Sequence, residues 1–181
     1  MQHNTMQQIN RQNFRVCLHA ISHPGSPGKL ADILENPLIT MAYCLLYSEV
    51  SSFFRAEIDQ TRIRAISGSS AASPQEADYL FISGPDGEIL KQAKTGSQVN
   101  PDQSATLFFQ IAPEADLHTR VILQGPGIDG ALSTTMPIEP DFLELLVHKN
   151  KAYPLGVDCF FLSTNDTITA IPRTTSIEII P

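Results

Sequence analysis

Apolar residues in this chain fall into short runs and periodic stripes, with turn chemistry between them. Phe14, Cys17, Leu18 and Ile21 recur at i, i+3, i+4 and i+7, which predicts one apolar stripe of an amphipathic helix. Pro24-Gly25 stops it, and the polar stretch 1–6 ahead of it is expected to fray. Asn36-Pro37 supplies an N-cap and a proline at the first helical position before Leu38, Met41, Ala42 and Leu45, a second helix. Ile58, Arg62, Ala65 and Ile66 share a face ahead of Gly68, a third. Glu139-Pro140-Asp141 opens a further helix with acids at its positive end; Phe142, Leu145, Leu146 and Lys149 continue it and Asn150 is placed to cap it.

Strand-like runs occupy 50–55, 79–83, Thr106 to Ala112 and 120–124. Gly84-Pro85-Asp86-Gly87 reads as a tight turn, and residues 67–73 as a flexible loop too short to separate domains. Near the end, 157–163 and 168–171 flank Thr164-Asn165-Asp166-Thr167, which predicts a hairpin. Pro172 cannot donate to a sheet ladder, so the second strand is expected to be interrupted or at an edge there, before Ile177, Glu178 and Ile179 alternate again. Helices and strands alternate without strict βαβ order and without an internal repeat. The fold class expected is α/β with a mixed sheet, three layers deep, in a single domain over 1–181.

Composition narrows the function classes. At 181 residues with 42% hydrophobic content and no apolar run near 18 residues, the pattern is that of a globular chain without a membrane span. No charged segment leads into an apolar one after Met1, so secretion is not expected, and a cytoplasmic location is. Cys17, Cys44 and Cys159 are odd in number and sit in apolar patterns, which suits reduced core thiols. A formal net charge of -7 repels polyanions, and the twelve Lys and Arg form no concentrated patch, so nucleic acid is not an expected partner.

General catalytic motifs are weak. Gly25 to Lys29 lacks the strand and the spacing of a phosphate loop, and Ser26-Pro27-Gly28-Lys29 matches Ser-x-x-Lys only as a turn. His19 and His23 have i, i+4 spacing, but Pro24 breaks the helix and no further ligand completes a metal set. No Gly-x-Ser-x-Gly elbow occurs, and no lysine stands in a distinctive Schiff-base setting. Arg11, Arg15 and His19 line one helical face, which suits either a solvated surface or contact with a triphosphate or an acidic partner. Arg173, Thr174 and Thr175 offer an anion contact, although such corners more often serve packing and hydrogen bonding. Gly156 permits close backbone approach, and Asp158 is placed to receive backbone donors or to pair with Arg173. Gly125-Pro126-Gly127 makes a sharp loop, for ligand approach or for simple reversal.

The stretch from Tyr153-Pro154-Leu155-Gly156-Val157-Asp158 through Ala170-Ile171-Pro172-Arg173-Thr174-Thr175 resembles the C-terminus of the PhnH family, a subunit of the bacterial carbon-phosphorus lyase system for phosphonate use. Asn13-Phe14-Arg15 and Ser22-His23-Pro24-Gly25 resemble its opening helix and stop, and Ala77-Asp78-Tyr79, Thr95-Gly96-Ser97, Ala105-Thr106-Leu107 and Leu123-x-Gly125-Pro126-Gly127-Ile128 follow in its order. Shortness and compressed connections between residues 67 and 105 depart from it.

The resemblance implies a fold similar to the large domain of pyridoxal-phosphate-dependent transferases, with no cofactor. It implies a homodimer that meets subunits G, I and J. In that system subunits G, H and I replace the adenine of ATP by a phosphonate, giving a ribose 1-phosphonate 5-triphosphate, and subunit J cleaves the carbon-phosphorus bond by radical chemistry. No catalytic constellation is carried over. The candidate binding or interaction residues are Arg15, Ser22, Pro24, Gly25, Gly156, Asp158, Arg173, Thr174 and Thr175. Two readings stay open: an accessory interaction subunit, and a transferase that binds nucleotide or phosphonate through Arg173, Thr174 and Arg15.

Overall fold

A computed structural model describes residues 2–111 and 118–180. In chain order the elements are helix α1 (Gln2–Ser22), strand β1 (Gly28–Lys29), helix α2 (Pro37–Leu45), strand β2 (Ser51–Arg55), helix α3 (Gln60–Ser67), and strands β3 (Ser70–Ala71) and β4 (Tyr79–Ile82). There follow helix α4 (Gly87–Gln92), strands β5 (Thr106–Ile111), β6 (Thr119–Gln124) and β7 (Leu132–Met136), helix α5 (Pro140–Asn150), and strands β8 (Asp158–Ser163), β9 (Thr167–Ile171) and β10 (Ser176–Ile180).

Seven strands form a mixed sheet in the order β1-β9-β8-β5-β4-β2-β3, and β10-β6-β7 form a second, antiparallel sheet. Strands β2, β4, β5 and β8 run parallel and in register, so Phe54, Phe81, Phe108 and Phe160 stand side by side. Their rings stack with centroids 5.1, 5.3 and 4.7 Å apart. The ladder packs against α1, α2 and α3 through Cys17, Ala20, Leu38, Met41, Ala42 and Ile63. Alternate residues, among them Leu80, Ile82, Leu107, Phe109, Cys159 and Phe161, face the other way, onto α4, α5 and the small sheet. Both faces are thus buried, which is why these strands read as unbroken apolar runs. The expected mixed-sheet, three-layer α/β organisation holds.

Several local expectations change. Helix α1 is already formed at Gln2, within the stretch expected to fray. Its buried side carries Asn13, Cys17 and Ala20, whereas Phe14 and Leu18 from the expected stripe point to solvent. The reason is Asn13, whose side chain takes the N–H of Ala31 at 2.8 Å and donates to the Asp32 carbonyl at 2.9 Å. That polar anchor turns the helix by about one residue, and the pattern of apolar positions alone does not reveal it.

The third helix starts at Gln60, capped by Asp59, and buries Ile63 instead of the Arg62, Ala65 and Ile66 face. Its Arg64 guanidinium covers the Phe54 ring at 5.1 Å and donates to Ser52. The loop at 67–73 contains β3, which pairs in parallel with β2. In the expected tight turn, Asp86 instead caps α4 through Glu88 and Ile89. Strand β5 ends at Ile111, and the expected extension to Ala112 lies outside the described residues. The predicted hairpin is β8-β9, and the chain leaves the large sheet at Pro172 to make β10 in the small one.

The ladder sets a graded expectation for stability. Phe108→Ala, at its fully buried centre, should cost about 3–5 kcal/mol in urea unfolding, and Phe54→Ala, at its partly open end, clearly less. Equal losses at both positions would show that the stack is not what orders this core.

Candidate functional site

In the parallel register Ser52, Tyr79, Thr106 and Asp158 are neighbours, so the residues just before them form one rim of the sheet, at the amino ends of its strands. The rim is held by polar side chains. Asp78 accepts from the Ser51 N–H and hydroxyl, both at 2.7 Å, and from Lys94 Nζ at 2.5 Å. Lys94 in turn accepts the Ala105 N–H on its carbonyl, and the Thr95 carbonyl accepts the Gly156 N–H. Asn150, at the end of α5, both donates to and accepts from the backbone of Val157.

The C-terminal corner completes this lacing. Arg173 Nε and Nη2 donate to Asp158 at 3.2 and 2.5 Å, its backbone N–H reaches the same carboxylate at 2.8 Å, and Nη1 donates to the Pro101 carbonyl at 2.8 Å. The two side chains are 15% and 17% exposed. All three guanidinium nitrogens are therefore engaged, and the charge is neutralised at short range. Gly156 holds φ +150, and a Cβ there would meet Asn150 Oδ1 at 2.5 Å and the Arg173 side chain at 3.1 Å. Only glycine lets the chain enter β8 beneath the arginine.

A second group lies where α1 ends. Pro24 is buried, and Gly25 donates its N–H to the Ala170 carbonyl at 3.1 Å, joining the helix stop to β9. The Ser22 carbonyl fits against Gly127, where φ is +85 and a Cβ would collide with it. At the other end of that loop Gly125 closes on the Thr174 carbonyl. The loop thus bridges the helix stop and the C-terminal corner, so Ser22, Pro24, Gly25, Gly156, Asp158, Arg173, Thr174 and Thr175 belong to one connected seam. Arg15 does not. It is exposed on α1, without a hydrogen-bond or ion-pair partner among the described residues.

Beside the corner, between the last turn of α5 and residues 172–177, is a cavity of about 450 Å³. Arg173, Thr174 and Thr175 contribute to its wall. A smaller cavity of about 250 Å³ lies near the ends of β5 and β8.

A family model described as a bacterial phosphonate metabolism protein, PhnH, matches residues 2–178. The chain belongs to the PhnH family. No curated protein matches it. Phosphonate metabolism is therefore the setting of this chain. The stretches that resemble PhnH, including Asp78, Thr95-Gly96, Gly125 to Gly127 and the corner, are those that lace the rim and the seam. Reading the sequence missed Pro101 as the third partner of Arg173 and Lys94 as the partner of Asp78. Neither leaves a local signal, because each pair closes only when distant segments meet in the sheet.

The reactive groups of this PhnH chain are quiet. Burial pushes the Cys17 thiol up to about 12, with help from Cys44, and the Cys44 thiol up to about 11; burial also raises Cys159. None is a thiolate at neutral pH. His19 and His23 stack at 4.2 Å, and no group of three or more His, Cys, Asp or Glu suited to a metal ion occurs among the described residues. No helix among them is long and apolar enough to cross a membrane.

Two measurements test the lacing. Arg173→Ala strips a partly buried carboxylate of its cation and should lower unfolding stability by about 2 kcal/mol or more, with a double-mutant cycle against Asp158→Asn showing strong coupling. Additive effects would place the two side chains apart in solution. Burial alone would raise the pKa of Asp78, but the hydrogen bonds from Lys94 and Ser51 outweigh it and hold the carboxyl below its usual range. Its stabilisation is then present above the unfolded value, about 4, and is lost as pH falls through the folded one. Stability of the native chain should fall more steeply below pH 5 than that of Asp78→Asn, and parallel curves would remove Asp78 from the acid response.

Proposed function

We propose that this chain is an accessory subunit of the carbon-phosphorus lyase core assembly, working in the cytoplasm as a homodimer in contact with subunits G, I and J. In this role it is required for making ribose 1-phosphonate 5-triphosphate from ATP and an alkylphosphonate, and it performs no catalysis itself. The supporting observation is the outward face of α1. Phe14 and Leu18 are 43% and 48% exposed one turn apart, flanked by Arg11 and Arg15. The helix carries no Asp or Glu, in a chain with nineteen acids. An apolar ridge edged with arginine suits a protein partner with an apolar, acidic surface.

The second reading, a transferase binding nucleotide or phosphonate through Arg173, Thr174 and Arg15, fits the geometry less well. Arg173 is consumed by Asp158 and Pro101. Arg15 rides on the helices that cover the phenylalanine ladder, whereas the cavity beside Arg173 is built on α5, on the opposite face of the sheet. The scaffold is read, on the same family grounds, as that of pyridoxal-phosphate-dependent transferases kept without cofactor. In keeping with this, Lys29, Lys91 and Lys94 are engaged in ion pairs and Lys149 donates to the Lys91 carbonyl.

The purified chain should not turn over ATP with methylphosphonate. The triple variant Phe14→Ser, Leu18→Ser, Arg15→Glu should keep its circular dichroism and lose co-purification with the other subunits, together with phosphonate conversion by the assembly. Turnover by the chain alone, or full assembly of the variant, would sink the reading.

A further inference from the structure

The cavity beside the C-terminal corner has a property that the lacing does not explain. Thr175 is 7% exposed and lines it, yet its hydroxyl has no hydrogen-bond partner. Neighbouring polar groups are already occupied: Asn150 by Val157, Arg173 by Asp158 and Pro101. A buried hydroxyl left unpaired costs folding free energy and gives nothing back in the free protein. Such a group is unusual in a native structure unless something else meets it.

The remaining walls define what that something is. Pro126, Leu146, Val147 and Ile177 are apolar, and about 450 Å³ is in the range of small-molecule sites. No lining residue is acidic, although the chain carries a net charge of -7. The two cations there differ in kind. Arg173 is neutralised by Asp158, whereas Lys151 is exposed at the end of α5 with no ion pair among the described residues. Its full charge outweighs the partial negative charge of the helix terminus beside it.

We infer that this cavity binds a small amphipathic organic anion, whose apolar body lies against Leu146, Val147 and Ile177, with an acceptor on the Thr175 hydroxyl and its charge toward Lys151. A carboxylate and a phosphonate share this chemistry. The site goes beyond the subunit role and does not depend on it: binding is read on the isolated chain, so loss of assembly in the α1 variant leaves it untouched, and absence of binding leaves assembly untouched.

The test is an NMR titration of the full chain with benzoate and with phenylphosphonate, using inorganic phosphate as a head group without a body. At least one aromatic anion should give saturable shifts at Leu146, Val147, Thr175 and Ile177, and the one that does identifies the head group. Phosphate should give none. Thr175→Val should weaken binding about tenfold and raise the Tm of the free chain, because it removes an unpaired hydroxyl without changing shape. Lys151→Gln should weaken binding and leave Tm unchanged. Failure of both aromatic anions to saturate, or undiminished binding by Thr175→Val, would overturn the inference. So would a lower Tm for Thr175→Val, which would mean that the hydroxyl is already paired in the free chain.

Discussion

Burying both faces of four parallel strands is the constraint on which this molecule rests. A strand covered on each side has no exposed flank for a polar residue, so the centres of β4, β5 and β8 are filled with Leu, Ile, Phe and Cys. Hydrogen-bonding side chains are displaced to the rims and connections. The lacing of Ser51, Asp78, Lys94, Asn150, Asp158 and Arg173 is the outcome at one rim. These groups satisfy backbone atoms where the ladder ends, and they fix the entry points of the strands.

This geometry separates what marks the family from what does chemistry. In open α/β sheets ligands usually lie beyond the carboxyl ends of the strands. The PhnH-like corner stands at the amino ends, and its arginine is held by a carboxylate and a carbonyl. A residue pattern can be diagnostic of a family because the fold needs it there. The corner then acts on function indirectly, by fixing the wall of the neighbouring cavity and the departure of β10 toward the small sheet.

How much was legible in the sequence follows the range of the interactions. The β8-β9 hairpin, the capped α2 and the α1 stop were readable because turn residues, caps and prolines act within a few positions. Pairing of Asp158 with Arg173 was among the options because only a hairpin separates them. The facing of α1 was not readable, because Asn13 looks like a surface residue until the 31–32 segment is brought against it. Likewise β1, β3 and β7 are short or polar strands that exist only because a longer neighbour offers an edge. The unpaired Thr175 hydroxyl leaves no trace in the sequence at all.

The place of β8 carries a consequence for how the chain comes to be folded. It lies between β5 and β9 in the middle of the large sheet, although it begins only at Asp158. During synthesis the earlier strands therefore emerge with the edge of β5 open and the aromatic stack incompletely covered. Protection against self-association waits for the final segment, and the chain is at its most adhesive just before release.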